Sequence, residues 1–181
     1  MASKNSSKPE IEVLFSEEEI ARHITRVARD ISEAGLDDFV VIAVLSGSFV
    51  FAADLIRAFH HCGLSPEVDF LTLSSYGGEM RSSGKVSIVR DFNRPVLGRN
   101  VLIVDDILES GRTMDFAKKL ILDRGARSVS TCALLDKKNQ RVVPVDADFS
   151  VFECPDVFVV GYGMDLDHRL RELPYIGRIM Q

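Results

Sequence analysis

The chain has 181 residues, of which 46% are hydrophobic and 27% charged, the ordinary composition of a globular domain. A domain of this length buries roughly 70% of the surface that its unfolded chain exposes. The net charge of −5 argues against a nucleic-acid partner, although a local pocket can still favour an anion. The longest apolar run, Phe39–Leu45, is too short to cross a bilayer, so no membrane partner is expected.

Cysteine and histidine spacing argues against two further kinds of site. Cys62, Cys132 and Cys154 are scattered and form no Cys-x-x-Cys pair, which is typical of reduced core cysteines in a cytoplasmic protein. The four histidines show no metal-ligand spacing, so a zinc site is not expected. Residues 1–10 are mostly polar and predict a frayed terminus rather than a signal peptide.

The first half of the chain alternates helices with strands. Ser16 and Glu19 form a capping box, and apolar residues at helical spacing follow until Gly35, which predicts a first helix. The next predicted elements are a buried strand over Phe39–Leu45, a turn at Ser46–Ser48, a helix over about Phe49–His61 and a strand over Glu67–Leu73. Such alternation predicts a parallel sheet with right-handed crossovers.

The stretch Ser74–Lys85 breaks this alternation. It contains three glycines and four serines and offers little for a core to bury. Two interpretations remain open, a surface hairpin loop and a mobile lid over an active site. A strand over Val86–Arg90 follows, and a turn at Arg94–Gly98 leads to the next strand.

The next stretch combines a buried strand with a polar turn. Val101–Val104 is a short uncharged apolar run, as in a strand that a parallel sheet buries on both faces. Asp105 and Asp106 are predicted at its C-terminal end. Glu109–Thr113 then forms a small polar turn before a helix that stops at Gly125.

This turn has the chemistry of a phosphate-binding site. Ligands of open α/β sheets bind at the carboxyl ends of the strands, where the N–H groups and dipole of the following helix favour an anion. Ser110 and Thr113 add hydroxyl donors, and Gly111 lets an oxygen approach the backbone. Asp105 and Asp106 can accept from sugar hydroxyls or hold Mg²⁺. The expected ligand is therefore a phosphorylated sugar, and the Gly-x-x-x-x-Gly-Lys-Ser/Thr pattern of nucleoside triphosphate sites does not occur here.

The rest of the chain supplies three more predicted strands, over Ser128–Leu135, Phe149–Phe152 and Phe158–Val160. No linker or internal repeat divides the sequence, so a single domain over 1–181 is predicted. Its core is expected over about 37–160. The flanking segments, about 11–36 and 161–181, are expected to form a small hood.

Residues Val104–Thr113 resemble the phosphoribosyl pyrophosphate (PRPP) signature of type I phosphoribosyltransferases. For a motif this short, the alternative is a generic strand-to-helix turn with acidic residues. From about Leu14 onward the chain further resembles the hypoxanthine(-guanine) phosphoribosyltransferases, in the segments Leu45–Phe49, Ser75–Tyr76, Leu134–Lys137 and Phe152–Asp165 and at Arg171. This resemblance implies an α/β fold with a parallel sheet, helices on both faces and a hood made by the N- and C-terminal segments.

The resemblance also implies how a purine base would bind. Phe158 would stack on the purine, the Val159 backbone would meet the base edge, and Lys137 would donate to the purine O6. An aromatic face suits a planar base, and an ammonium has donors only, so it favours a 6-oxo group over the 6-amino group of adenine. Each of these residues taken singly has another interpretation. Phe158 could be a core residue, Lys137 could be a solvated charge, and Asp165 could be a helix cap.

The remaining implied roles concern PRPP, metal and lid. The 5′-phosphate would bind to the loop formed by Glu109, Ser110, Gly111, Arg112 and Thr113, and the ribose hydroxyls would bind to Asp105 and Asp106. The pyrophosphate would contact Ser46, Gly47 and Arg171. Mg²⁺ would be held by Asp165 and Asp106. Ser75 and Tyr76 would begin the mobile lid. Glu109 would be the general base near purine N7, so that Glu109, Asp105 and Asp106 form the expected catalytic group.

Two positions depart from the family pattern. Ser46 stands where the pyrophosphate loop usually has lysine, which removes one positive charge facing the pyrophosphate. The family tends to hold the peptide bond before this position in the cis form. Glu109 stands where the family has aspartate, so the charge is kept but the reach is one methylene longer. Both departures bear on rate and affinity rather than on the fold.

The expected function is purine salvage, in which hypoxanthine or guanine and PRPP give the nucleoside 5′-monophosphate and pyrophosphate with Mg²⁺. A xanthine-preferring transferase remains an alternative within the same class. A regulator that senses PRPP or nucleotide and binds nucleic acid is the alternative from another class, and the acidic composition counts against it. By resemblance, the enzyme is expected to be a cytoplasmic homodimer or homotetramer.

Overall fold

The computed structural model describes residues 9–36, 38–75 and 86–180. The strands are β1 (Ile11–Phe15), β2 (Phe39–Leu45), β3 (Glu67–Ser75), β4 (Val86–Arg90), β5 (Asn100–Leu108), β6 (Ser128–Asp136), β7 (Phe149–Glu153), β8 (Val159–Val160) and β9 (Ile176–Ile179). The helices are α1 (Glu17–Glu33), α2 (Phe49–His61) and α3 (Arg112–Asp123), with a 3₁₀ turn at Lys138–Gln140. The predicted bounds of β2, α2 and β4 are confirmed residue for residue.

The central sheet has six strands in the order β4-β3-β2-β5-β6-β7. Its neighbours are parallel except β3 and β4, which pair antiparallel. From β2 the chain proceeds outward to β3, whereas from β5 it proceeds in the opposite direction to β6 and β7. The adjacent strands β2 and β5 therefore flank the point where the strand order reverses, which is where open α/β sheets bind ligands.

Helices cover both faces of this sheet, as predicted. Along β2 the buried side chains alternate, so that Val41 and Ala43 pack with α1 and α2 while Val40 and Ile42 pack with α3. Strand β5 alternates in the same way between the two clusters. Two-sided burial explains why the central strands read as continuous apolar runs rather than as alternating patterns.

Helix α1 begins at the predicted capping box. The Glu19 N–H donates to Ser16 Oγ at 3.3 Å, and the Ser16 N–H donates to Glu19 Oε2 at 2.9 Å. Prediction assigned this helix to the hood, and the structure corrects that assignment. Its apolar stripe is buried in the same cluster as α2, and Arg26 Nη2 donates to the β7 carbonyls of Ser150 and Val151 at 3.1 and 3.2 Å.

The hood itself is a three-stranded antiparallel sheet in the order β1-β9-β8. Sequence analysis missed β1 and β9, because both are short and each acquires its pairing partner from the opposite end of the chain. Residue Ile11 pairs with Ile179, for example. Among the described residues, no helix is long and apolar enough to span a membrane. The three cysteines are free, and Cys132 and Cys154 are buried.

Candidate active site

A polar cavity of about 160 Å³ lies at the carboxyl ends of β2 and β5. Strand β5 continues past the predicted end at Val104 to Leu108, because it keeps its pairing with β6 after its pairing with β2 has stopped at Val104. The two strands thus separate and leave a cleft between them. The lining residues are Val44, Leu45, Ser46, Gly47, Leu73, Asp105, Asp106, Ile107 and Thr113.

The two carboxylates of this cleft, called here the acid pair, are Asp105 and Asp106. Asp105 is only 5% exposed, and its Oδ1 accepts a hydrogen bond from the Asp106 N–H at 3.0 Å. Burial raises the pKa of Asp105 well above its ordinary value, and the neighbouring Asp106 charge raises it further. The less buried Asp106 is the better placed of the two to meet ligand hydroxyls in the cleft.

The loop after β2 packs directly onto the acid pair. The Leu45–Ser46 peptide bond is cis, the form that the resemblance implies. At Gly47, an added Cβ would lie 1.7 Å from Asp106 Oδ2, so only glycine fits against that carboxylate. Gly47 therefore fixes how closely the pyrophosphate loop and the acid pair approach each other.

The predicted 5′-phosphate loop, Glu109–Thr113, connects β5 to α3. Gly111 precedes the helix with a φ of 82°, a left-handed conformation that favours glycine. An added Cβ there would lie 2.6 Å from the Val143 carbonyl oxygen. The chain itself therefore occupies one side of the loop, which is a reason for glycine in addition to the predicted approach of a phosphate oxygen. The Ser110 hydroxyl accepts from the Arg112 N–H at 3.4 Å.

Lys137, at the end of β6, is only 6% exposed. Its ammonium donates to Glu109 Oε1 at 3.1 Å and to the Val157 carbonyl at 2.9 Å. An ammonium has three N–H donors, so one remains for a ligand. Glu109 and Lys137, which are predicted to meet N7 and O6 on the same edge of a purine, are thus brought together. The alternative of a solvated lysine is wrong.

The predicted base-stacking residue lies on the same side. Phe158 is 57% exposed at the start of β8, directly after Val157, whose carbonyl holds Lys137. The next residue, Val159, is buried and pairs with Arg178 in the hood. An aromatic side chain left this exposed beside a buried lysine offers a free face to a planar ligand.

The predicted pyrophosphate residues also converge. Arg171 Nη2 lies 3.4 Å from Ser46 Oγ and 2.6 Å from Asp165 Oδ1, and its Nη1 donates to the Gly163 carbonyl at 2.5 Å. Asp165 also accepts from the His168 N–H at 2.8 Å. Asp165 therefore caps a turn and orients Arg171 toward the Ser46 loop, in addition to the predicted role as a metal ligand.

No cluster of three or more metal-binding side chains occurs among the described residues. Magnesium that is bound mainly through substrate phosphates needs only one or two carboxylates from the protein. The oxygen donors of Asp106 and Asp165 have the hardness that Mg²⁺ prefers, so their chemistry fits the predicted ion.

The start of the predicted lid lies at the end of a hairpin. Strand β3 extends to Ser75, and the hydroxyls of Ser74 and Ser87 lie 2.8 Å apart across the β3–β4 pair. Tyr76 and the rest of the predicted lid lie outside the described residues. Strands β3 and β4 therefore fix where this connection starts and ends, beside the cleft that Leu73 lines.

A larger groove of about 850 Å³ lies between α1, α2 and the segment 171–174. Its described lining includes Arg171 but neither the acid pair nor the phosphate loop. A groove of about 1150 Å³, lined by Pro9, Ile11, Tyr175 and residues between 166 and 173, is larger still. Both exceed the cleft in volume, but the charged and hydroxyl groups that suit a phosphorylated sugar surround the smaller cleft. We therefore assign the site to the cleft.

Comparison with known proteins agrees with this geometry. The phosphoribosyl transferase domain matches this chain over residues 11–167. The chain belongs to the phosphoribosyltransferase family. The hypoxanthine phosphoribosyltransferase of Escherichia coli K12 is 42% identical over 96% of this chain and 97% of its own length, and the hypoxanthine-guanine phosphoribosyltransferase of Bacillus subtilis is 44% identical over 91% of each.

A solved phosphoribosyltransferase structure shares the fold across almost the whole chain. The hypoxanthine phosphoribosyltransferase of Trypanosoma cruzi superposes with a TM-score of 0.89 at 36% identity, covering 97% of this chain and 94% of that chain. The predicted phosphoribosyltransferase fold is thus confirmed.

Proposed function

We propose that this protein transfers the 5-phosphoribosyl group from PRPP to hypoxanthine or guanine, giving the nucleoside 5′-monophosphate and pyrophosphate in purine salvage. The observation that carries this proposal is the buried Lys137 ammonium, which keeps one donor free beside the exposed Phe158 ring. The activity named for the Escherichia coli and Bacillus subtilis relatives supports the same substrates. Those names and the acidic composition favour an enzyme over a regulator that binds nucleic acid.

Each group of the site would have a distinct task in this reaction. Departure of pyrophosphate from the ribose C1 leaves oxocarbenium character, so the protein has to hold both fragments in line and stabilise the leaving group. The phosphate loop would hold the 5′-phosphate and the acid pair the ribose hydroxyls. Arg171 would face the pyrophosphate, and Glu109 would take the proton from the purine.

Magnesium would be held by Asp106 and Asp165 and would supply positive charge to the pyrophosphate oxygens as they separate. The residues 74–85 would close over the site and exclude water that could otherwise hydrolyse PRPP. Both roles follow from the resemblance together with the chemistry of the residues that surround the cleft.

A panel of bases tests the proposal directly. Hypoxanthine and guanine should be converted with PRPP and Mg²⁺, and adenine should not, because the free donor of Lys137 has no acceptor to meet on a 6-amino group. Xanthine is included because faster conversion of xanthine than of hypoxanthine and guanine would indicate a xanthine-preferring transferase. Adenine turnover as fast as that of hypoxanthine would remove Lys137 from its assigned role and the 6-oxopurine assignment with it.

Lys137→Met should weaken 6-oxopurine binding by about 1–3 kcal/mol, the usual cost of losing a buried charged hydrogen bond. The KM for hypoxanthine reports this loss, whereas the KM for PRPP should change less. Lys138→Met is the matched control, because the adjacent Lys138 points outward and pairs with Glu153. Equal effects of the two variants on the KM for hypoxanthine would contradict the assignment of Lys137.

Ser46→Lys should lower the KM for PRPP or strengthen product inhibition by pyrophosphate. Ser46 is exposed in the cleft loop, and its hydroxyl contact with Arg171 is long at 3.4 Å, so an added ammonium can reach the same anion. Ser46→Ala is the control that removes the hydroxyl without adding charge. No change in either parameter for Ser46→Lys would mean that Arg171 and Mg²⁺ bind pyrophosphate without help from this loop position.

We also propose that the enzyme is a cytoplasmic homodimer or homotetramer. Phe49 is 46% exposed on the rim of the groove between α1 and α2, and exposed aromatic side chains are enriched where subunits meet. Enzymatic activity and oligomeric state are linked to the C-terminal region in the Trypanosoma cruzi relative. The molar mass measured by light scattering decides between one, two and four copies.

A further inference from the structure

Arg141 follows the 3₁₀ turn after β6, and its side chain is 14% exposed. Its guanidinium donates to backbone carbonyls from three separate parts of the chain, one of which is the Lys137 carbonyl, 3.5 Å from Nη1. Nη1 donates to the carbonyls of Leu108 and Glu109 at 2.5 and 2.7 Å, and Nε donates to the Val145 carbonyl at 2.8 Å. The planar five-donor fork of arginine is suited to such simultaneous contacts, and lysine cannot reproduce them.

A buried acid fixes this guanidinium in place. Arg141 Nη2 forms an ion pair with Asp136, which is 4% exposed at the end of β6. Arg141 is therefore tied to β6 by charge and to the end of β5 by hydrogen bonds. It connects β6, which ends just before Lys137, with β5, which leads into the phosphate loop.

The residues that follow Arg141 support the next peptide of the phosphate loop. The N–H groups of Val142 and Val143 both donate to the Ser110 carbonyl at 3.0 Å. The Val143 carbonyl occupies the side of Gly111 on which a Cβ would otherwise stand. Arg141 and its two successors thus hold three consecutive carbonyls, those of Leu108, Glu109 and Ser110.

Holding these three carbonyls orients the groups on the other side of each peptide. In a planar trans peptide the N–H points opposite to the C=O, so the N–H groups of Glu109, Ser110 and Gly111 are turned away from Arg141. Successive N–H groups turned to one side form a concave binding site for an anion. The cleft, lined by Thr113 from the same loop, is where such an anion would lie.

We propose that Arg141 is a positioning residue for the phosphate-binding loop. It sets the direction of the loop's N–H groups without touching the ligand. The proposal rests on the proposed function, in which this loop binds the 5′-phosphate of PRPP. The sequence pattern predicts no role for Arg141, because a basic residue in a polar turn is typical of a solvated surface charge.

Arg141→Lys tests the proposal, because lysine keeps the charge opposite Asp136 but loses the fork. We expect the KM for PRPP and the dissociation constant for inorganic phosphate to rise by about 10–100-fold, the usual effect of removing a group that orients a binding residue. The kcat at saturating PRPP and the KM for hypoxanthine should change much less. Circular dichroism and thermal unfolding confirm that the variant is folded.

Arg99→Lys is the matched control. Arg99 is also a partly buried arginine, 22% exposed, and it pairs with Asp38 and Glu67 at the opposite end of the sheet. It should lose stability without any change in phosphate binding. If both variants lose stability and phosphate affinity to the same extent, or if Arg141→Lys binds phosphate as tightly as the parent, Arg141 is not a positioning residue.

Asp136→Asn is the second variant, and it carries the test if Arg141→Lys fails to fold. It removes the charge that fixes the guanidinium but leaves the hydrogen bonds of Arg141 to the Leu108 and Glu109 carbonyls, so phosphate affinity should fall, although by less than in Arg141→Lys. Phosphate affinity equal to that of the parent would overturn the proposal. Phosphate binding is measured without a base, so failure of the parent to convert any purine would count against the proposed function alone.

Discussion

Glu109→Gln should reduce kcat by about 10²–10⁴-fold, the usual contribution of a general base. The substitution removes the charge but keeps an oxygen that can accept from Lys137 Nζ, which lies 3.1 Å from Glu109 Oε1. The Glu109 side chain is 51% exposed, so the change should cost little stability. Loss of rate would therefore report chemistry rather than folding, and single-turnover kinetics with hypoxanthine measures it.

PRPP binding should survive this change. The 5′-phosphate would be held by the N–H groups of the loop and the hydroxyls of Ser110 and Thr113, none of which depends on the Glu109 carboxylate. Glu109→Asp is the matched control, because it keeps the charge and restores the reach usual in the family. It should stay active.

Two outcomes would contradict the assignment of Glu109 as the base. If Glu109→Gln retains nearly full kcat, the proton is taken by another group, with Asp105, Asp106 and water as the candidates. If Glu109→Gln abolishes PRPP binding while Glu109→Asp keeps it, the carboxylate belongs to the phosphate site. Titration of each variant with PRPP in the absence of base separates these cases.

Local signals in the sequence predicted most of the fold. The capping box at Ser16 and the apolar runs of β2 and β5 determine their own structure, because the residues that decide it are close together in the chain. Strands β1 and β9 depend on pairing between opposite ends of the chain, and local patterns carry no such information. The same limit explains α1, whose apolar stripe predicted a helix but not the face of the sheet on which it packs.

The candidate site was predicted as a set of residues rather than as a set of contacts. Resemblance supplied Glu109 and Lys137 separately, but their ion pair follows only from the parallel pairing of β5 with β6, which places Leu108 beside Asp136. For Gly111 the predicted reason was the approach of a phosphate oxygen, and the structure adds a second reason, the close Val143 carbonyl. Arg141 was missed because its partners in β5 and the phosphate loop, the carbonyls of Leu108 and Glu109, lie 33 and 32 residues away in the chain.

Asp105→Asn should stabilise the fold at neutral pH while weakening the enzyme. Asp105 is 5% exposed, and a charge at this position loses its hydration beside a second carboxylate. Asparagine has the same shape, and its side-chain oxygen can still accept from the Asp106 N–H. We expect the free energy of unfolding to rise by about 0.5–2 kcal/mol at pH 7.5, as is common when a strained functional residue is relieved. The KM for PRPP should rise by roughly 10–100-fold, because one of the two carboxyl groups predicted to bind the ribose hydroxyls would be replaced by an amide.

The pH dependence of this stabilisation has a definite sign. Burial and the Asp106 charge raise the pKa of Asp105 in the folded protein above its unfolded value of about 3.9. The proton on Asp105 therefore stabilises the folded parent fully below the unfolded pKa, and this contribution is lost as the pH rises through the folded pKa. Asparagine does not titrate, so the difference in unfolding free energy between Asp105→Asn and the parent should be small at acid pH and grow toward neutrality.

Urea unfolding from acid to neutral pH measures this difference. The control is Asp123→Asn, at an exposed position on α3. A constant difference from acid to neutral pH would show that folding leaves the pKa of Asp105 unshifted, and burial of this carboxyl would then not explain the stabilisation by Asp105→Asn.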